Sequence, residues 1–325
     1  MRRGGARGTL TRMHPAFVVV VLGLAVFAAS AQDSRNAPPG EGAASAPASR
    51  RPRRGSTPAD DESAYVRIVG RGAARRLETG YASFFDADGR EVILVGAVHV
   101  ADADYYAELN GLLGACGFVL YEGVSGAPTE DMTTIARLQL SLGRLLDLTF
   151  QKDGVVYGRP HFVHADLDAR TIEAKLAERG ETLLPGGDAL RAFGPFLSRL
   201  LEAAADAAER ARRSGTPGAF DMVKPRVAEA LTDPRTRDAR SRAWDDVVIG
   251  ARNERAAEVL DVALAEGARS VAIFYGAAHL ADLERRLATR GFSKRGPMRW
   301  LTAWRLGRNA PPPVVEARTP AGDAL

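Results

Sequence analysis

Two short stretches of this chain are nearly identical, and they constrain its fold more than any other feature. Gly-Ala-Val-His-Val-Ala-Asp occupies residues 96–102, and Gly-Ala-Ala-His-Leu-Ala-Asp occupies residues 276–282. An apolar run precedes each copy, at residues 92–95 and 271–275, and such runs are typical of strands that are buried on both faces. A helical pattern and then a Gly-Phe pair follow each copy. The sequence therefore predicts the unit of strand, Gly-x-x-His and helix twice in one chain.

The remaining patterns favour an α/β fold around a central, mostly parallel sheet, because strands alternate with helices at both ends of the chain. The Asp88-Gly89 pair separates two apolar runs and predicts a hairpin turn. Residues 129–242 are mostly helical in pattern, which predicts a helical insertion or cover in the middle of the fold. Further strands are predicted at residues 65–69, 118–121 and 300–304, and helices at residues 103–115 (capped by Asp102, burying Tyr106, Leu109, Leu112 and Leu113), 135–150, 171–179, 188–213, 244–266 and 280–290.

The two ends of the chain predict segments outside this folded domain. A basic start, an apolar run over residues 17–29 and the small residues Ala29-Ser30-Ala31 predict a signal peptide over residues 1–31. The apolar run is shorter than the roughly 20 residues that span a bilayer, although an uncleaved anchor stays open as the alternative. The protein is therefore expected to be exported, to the periplasm or the cell exterior. A disordered linker is predicted at residues 32–62, the α/β domain at residues 63–308 and a disordered tail at residues 309–325.

The charge pattern argues against a nucleic-acid-binding protein, and the cysteine content excludes an intrachain disulfide. The formal net charge is only +4, and the basic residues are scattered rather than arranged in a stripe with aromatic residues. A nucleic-acid partner is therefore not expected. The expected partners are a peptide or small-molecule substrate, and the membrane if the N-terminal segment is retained. Cys116 is the only cysteine, so the chain has no intrachain disulfide.

Three polar residues directly follow predicted strands, where ligands bind in open α/β sheets. They are His99, Glu122 and His279. Two neutral imidazoles and a carboxylate are the ligand set of a catalytic metal site with an open position for water. The same groups could instead act without a metal as a base, its orienting partner and an acid. A histidine after a buried strand can also be a core or capping residue, but its equivalent use in both repeats favours function.

Two further groups of residues could join this site. Arg252 lies on the apolar side of the predicted helix before the second repeat, where a guanidinium needs an anion such as Glu122 or a substrate oxyanion. His164 and Asp166 share one face of an extended segment and form a possible additional site.

At these residues the chain resembles a known family, the TraB/PrgY/GumN group, which includes the TIKI metalloproteases. The features that carry the resemblance are the two Gly-x-x-His motifs, the glutamate that ends the strand after the first, and the Arg252-Asn253 pair before the second. It covers about residues 65–306. It implies a fold shared with erythromycin esterases and ChaN-like haem-binding proteins. It also implies that His99, Glu122, Arg252, Asn253 and His279 form the functional set.

The resemblance implies a metal-dependent hydrolase of bacterial origin that cleaves a peptide bond. His99, His279 and Glu122 would hold the metal, with Glu122 as ligand or general base, and Arg252 would stabilise the oxyanion. The resemblance suggests Mn²⁺ or Co²⁺, whereas the ligand types alone equally fit Zn²⁺. Two alternatives stay open: a metal-free ester hydrolase of the erythromycin-esterase type, and a module without enzymatic activity that binds and sequesters a peptide signal.

The N-terminal pattern predicts that signal peptidase cleaves after Ala31. N-terminal sequencing of protein from the native host should therefore begin at Gln32. An intact start on membrane-bound protein would show that the segment is an anchor.

Overall fold

The structure is a computed structural model, and it describes residues 65–184, 187–215, 223–233 and 240–307. The predicted signal peptide, linker and C-terminal tail lie outside the described residues. Among the residues that are described, no helix is both long enough and apolar enough to cross a membrane.

The described chain alternates strands with helices. The strands are β1 (Val66–Val69), β2 (Arg76–Phe85), β3 (Glu91–Ala97), β4 (Val100–Ala101), β5 (Phe118–Tyr121), β6 (Thr149–Phe150), β7 (Phe162–His164), β8 (Ser270–Gly276) and β9 (Ser293–Arg305). The helices are α1 (Ala103–Gly114), α2 (Glu130–Leu146), α3 (Gln151–Gly154), α4 (Ala169–Ala177), α5 (Gly187–Arg213), α6 (Val223–Thr232), α7 (Arg242–Asp245), α8 (Arg252–Ala265) and α9 (Leu280–Thr289). A π-helical segment, Asp246–Ala251, joins α7 to α8, and a 3₁₀ turn, Ala277–His279, joins β8 to α9.

One mixed sheet organises these elements. Its centre is parallel, with β3 beside β8, β8 beside β5 and β5 beside β7. Its other side is antiparallel, because β1 and β3 pair with successive halves of β2 while β9 pairs along most of the opposite edge of β2. The fold is therefore α/β with a parallel centre, as the alternation of elements predicts.

Helices cover the two faces of the parallel centre differently. Alternate residues of each central strand enter different apolar clusters, so the strands are buried on both faces. Val95 and Phe274 pack on the face that α1 covers through Tyr106 and Leu109. The opposite face packs against α8 and α9, through residues such as Leu260 and Leu283.

A third apolar cluster lies beyond the sheet. It joins α2 and α4 to Trp244 of α7 and to the π-helical segment, and it includes Val124, two residues after Glu122. The short strands β4 and β6 pair antiparallel, so the chain just after α2 is bonded to the chain just after His99. This helical cover is therefore attached to the end of β3.

The structure differs from the predicted pattern at several elements. The middle of the chain is not only an insertion or cover, because β7 lies within it and pairs with β5 in the main sheet. The predicted helix over residues 135–150 ends at Leu146, where Asp147 adopts a left-handed backbone with φ of 57°. Phe150 lies in β6 instead. The last strand, β9, is 13 residues long rather than five.

The role of Asp102 at the start of α1 also differs from the predicted helix cap. Asp102 occupies the N-cap position, but its side chain makes no capping hydrogen bond. Its carboxylate accepts the backbone N–H of Arg305 at 2.7 Å and pairs with Lys224 at 3.0 Å. Tyr105 is buried on this helix, whereas Leu112 is only partly buried. Asp102 therefore ties the helix to β9 and α6.

Candidate active site

The crevice for a ligand is expected at the ends of β3 and β8. These strands are neighbours and parallel, yet α1, which follows β3, packs on one face of the sheet and α9, which follows β8, packs on the other. Adjacent strands whose connections leave on opposite faces form the switch point at which open α/β sheets bind ligands. His99 and His279 lie just beyond these two strand ends.

Every strand of the parallel centre delivers one buried polar residue just past its carboxyl end. These residues are His99 after β3, His279 after β8, Glu122 after β5 and Asp166 after β7. Their exposed fractions are 2%, 0%, 2% and 5%, respectively. Burying a charged group is costly unless it is paired, so the arrangement requires an opposite charge at its centre.

Arg252 supplies that charge. Its guanidinium has no exposed surface and forms a two-pronged pair with Asp166, from Nε to Oδ1 at 2.9 Å and from Nη2 to Oδ2 at 2.6 Å. Nη2 also donates to Oε1 of Glu122 at 2.7 Å. Burial alone would lower the pKa of Arg252, but the charges of Asp166 and Glu122 outweigh burial and raise it above its ordinary value.

Local helix geometry brings Arg252 to this position. Arg252 is the first residue of α8 and follows the π-helical segment directly. A π segment is rare, shifts the register of the residues after it, and is frequent at functional sites. Arg252 and Asn253 are both fully buried, so both face the sheet instead of solvent.

Asn253 fixes the ring of His279. Its amide nitrogen donates to the backbone oxygen of His279 at 3.0 Å and to Asp282 at 3.0 Å. Its oxygen therefore accepts, and it lies 2.7 Å from Nδ1 of His279. This assigns the hydrogen to Nδ1 and leaves a lone pair on Nε2, which lies 3.4 Å from Nη1 of Arg252 and 3.7 Å from Oε1 of Glu122.

The surroundings of His279 favour its neutral form. Burial and then the positive charge of Arg252 lower the pKa of His279 well below its ordinary value. The ring of Tyr275 packs edge-on against it, with centroids 5.2 Å apart. His279 is therefore a neutral acceptor at Nε2.

A side-chain amide oxygen also holds the ring of His99. Nδ1 of His99 lies 3.1 Å from Oε1 of Gln151, the first residue of α3. The backbone N–H of Gln151 donates to the backbone oxygen of His99 at 2.7 Å. The helical cover therefore reaches this imidazole directly.

Gly276, the first residue of the second Gly-x-x-His motif, marks the point where the three predicted groups meet. A Cβ atom at this position would lie 3.2 Å from Oε2 of Glu122, 3.7 Å from Cδ2 of His279 and 3.9 Å from Nε2 of His99. The N–H of Gly276 donates to Oε2 of Glu122 at 2.6 Å. Gly96 is its counterpart in the first motif. A Cβ atom at Gly96 would lie 3.0 Å from the Gly80 carbonyl oxygen and 3.1 Å from Leu280, so this glycine allows their close approach.

The structure thus brings the predicted site residues together. His99, Glu122, Arg252 and His279 form one cluster, with Asn253 behind His279. Asp166, predicted as part of an additional site, belongs to this same cluster, and its Oδ2 also accepts the N–H of Gly123 at 3.0 Å. His164 contacts the same turn, through a hydrogen bond between its Nε2 and the carbonyl oxygen of Gly123.

His99, Glu122 and His279 supply the donor types of a divalent-metal site. Two imidazoles and a carboxylate border the space over Gly276. Among the described residues, however, no group of three or more His, Cys, Asp and Glu side chains is arranged to hold a metal ion. The lone pair of His279 Nε2 faces the guanidinium of Arg252 rather than a common point.

Comparisons with known proteins identify no relative: no protein-family model, no curated protein and no solved structure matches this chain.

The lowered pKa of His279 predicts a specific pH dependence. The ring should stay neutral well below pH 6.5, where an ordinary histidine is half protonated. The unfolded chain then binds a proton that the folded chain does not. The stabilising contribution is therefore complete above about pH 6.5 and is lost below it, by up to about 1.4 kcal/mol per pH unit.

Two measurements check this prediction. Nitrogen NMR of histidine-labelled protein reports the protonation of the ring. Urea unfolding at a series of pH values reports how the free energy of unfolding changes with pH. Titration of the His279 ring near pH 6.5 would contradict it.

Proposed function

We propose that this chain is a hydrolase whose reaction centre consists of His99, Glu122, Arg252 and His279. One observation carries the proposal: two imidazoles, each with Nδ1 held by a side-chain amide oxygen, meet a carboxylate at the switch point of an α/β sheet. A structural role alone would need one counter-ion for Arg252. It would not need two imidazoles with fixed ring orientation beside that ion pair.

His99 is the general base in this proposal. With its Nδ1 hydrogen directed at Gln151, its Nε2 has a lone pair near the carboxylate of Glu122. A water over Gly276 would give a proton to Nε2 as it attacks a carbonyl carbon of the substrate, and the imidazolium would return that proton to the leaving alcohol or amine as the C–O or C–N bond breaks. Since Oε2 of Glu122 lies on the same side, the carboxylate would stabilise the imidazolium that forms.

Arg252 acts through its neighbours rather than on the substrate. Its Nε and Nη2 hydrogens are directed at Asp166 and Glu122, so they are not directed at a substrate oxyanion. Its charge holds Glu122 in place and adds to the effect of burial in lowering the pKa of His279. We therefore assign Arg252 and Asn253 a positioning role.

A metal-dependent form is the second candidate. Histidines that bind a metal almost always donate their other ring N–H to an oxygen acceptor, and Gln151 and Asn253 provide such acceptors here. His99, Glu122 and His279 would hold the ion, Mn²⁺ or Co²⁺ by the family resemblance and Zn²⁺ by ligand type. The ion would supply a bound water of lowered pKa.

The family and the substrate follow as proposals from the same residues. We assign the chain to the TraB/GumN type, with the two strand, Gly-x-x-His and helix segments as repeated units. The substrate is then a peptide in the metal-dependent form and an ester in the metal-free form. An N-terminal signal peptide would place the enzyme outside the cytoplasm.

A substrate screen tests the proposal. Purified protein is assayed on p-nitrophenyl esters of graded acyl length and on fluorogenic peptides. We expect turnover that falls by at least about 10²-fold in His99→Ala, because general-base catalysis contributes about that much or more. His161→Ala is the matched control, since His161 lies just before β7 and its Nε2 contacts the backbone oxygen of Leu113. It should leave activity unchanged.

Metal analysis separates the two forms. Activity that survives chelation in protein without bound metal supports the metal-free hydrolase. Activity that is lost on chelation and restored by Mn²⁺, Co²⁺ or Zn²⁺ supports the second candidate. Turnover of no substrate under either condition, together with tight peptide binding, would replace both with a binding module.

A further inference from the structure

Gln151 connects the helical cover to His99 at two atoms. Its backbone N–H donates to the backbone oxygen of His99 at 2.7 Å, and its Oε1 lies 3.1 Å from Nδ1 of the imidazole. The amide nitrogen of Gln151, Nε2, donates to the hydroxyl of Tyr157 at 2.9 Å, which fixes the orientation of the amide. Gln151 is only 4% exposed, so few other orientations are open to it.

The direction of these bonds decides which tautomer a neutral His99 ring adopts. Since Nε2 of Gln151 donates to Tyr157, its Oε1 faces His99 and can only accept. In a neutral ring the hydrogen then lies on Nδ1 and the lone pair on Nε2, which would lie 3.9 Å from a Cβ atom at Gly276. Asn253 has the same effect on His279 from a different helix.

We propose that Gln151 is the positioning residue of His99, and that Tyr157 holds the amide of Gln151 in the orientation this requires. The cover would then determine whether His99 presents a lone pair to the reaction site. This inference deepens the proposed function and rests on it for the role of His99 as base. The orientation and tautomer of the ring can be measured without any substrate.

The chain just after Gln151 offers a matched control. Asn110 of α1 binds this part of the chain, donating to the backbone oxygen of Gly154 at 2.8 Å and accepting the N–H of Val156 at 2.9 Å. None of these bonds involves His99 or Gln151. A role that was merely structural would make Asn110 and Gln151 equivalent, because both attach the segment to its surroundings.

The test measures the tautomer of His99 by nitrogen NMR of histidine-labelled protein, with the His99 signal assigned by its loss in His99→Ala. We expect the Nδ1–H form in the unaltered protein and in Asn110→Ala. In Gln151→Leu the ring should populate the Nε2–H form. Gln151→Glu keeps an accepting oxygen and should retain Nδ1–H, while Tyr157→Phe should give a mixture.

Kinetics on the best ester or peptide of the screen provide the second readout. Loss of a group that orients a catalytic histidine should lower kcat by about 10- to 100-fold in Gln151→Leu, with KM nearly unchanged, and Gln151→Glu should restore much of it. Asn110→Ala should lower the melting temperature but not kcat.

The two proposals fail in different ways. If His99 keeps Nδ1–H in Gln151→Leu, or already has Nε2–H in the unaltered protein, Gln151 does not position it and the inference is wrong. If the tautomers change as expected but no variant or parent protein turns over any substrate, the positioning role holds and the hydrolase proposal fails.

Discussion

Burying a charged guanidinium is costly unless it is paired, and Asp166 and Glu122 both pair with Arg252, which has no exposed surface. Removing one partner of such a buried pair costs about 3–5 kcal/mol, because the other charge is left uncompensated. The three side chains come from the ends of β7 and β5 and from the start of α8. Their ion pairs therefore fix three separate elements relative to one another at the centre of the site.

The two histidines depend on this cluster to different extents. His279 contacts it directly, since Nη1 of Arg252 faces its Nε2 and, together with burial, the arginine charge lowers its pKa. His99 is held by Gln151, the first residue of α3. Nearly identical motifs therefore place two imidazoles that are held differently: Asn253 and Arg252 of α8 act on His279, and Gln151 of α3 acts on His99.

The sequence was sufficient where local patterns determine structure. Apolar runs located β3, β5 and β8 but not β7, and Gly-x-x-His after two of them located His99 and His279. Asp166 could be named from its spacing to His164, but its partner Arg252 lies 86 positions away, so the shared cluster could not be derived. The contact of Gln151 with His99 spans 52 positions. No local motif indicates it. The end of α2 at Asp147 was missed for a similar reason, because tertiary pairing of β6 with β4 overrides an apolar pattern that continues to Phe150.

If Asp166, Arg252 and Glu122 act as one unit, the effects of replacing two of them are not additive, and a double-mutant cycle measures this. The free energy of unfolding is measured by urea titration for Asp166→Asn, Arg252→Met and the double variant. Each single variant should lose about 3–5 kcal/mol. The double variant should be more stable than the sum of the two losses implies, by about 1–3 kcal/mol. Additive losses would show that Asp166 and Arg252 contribute to stability independently.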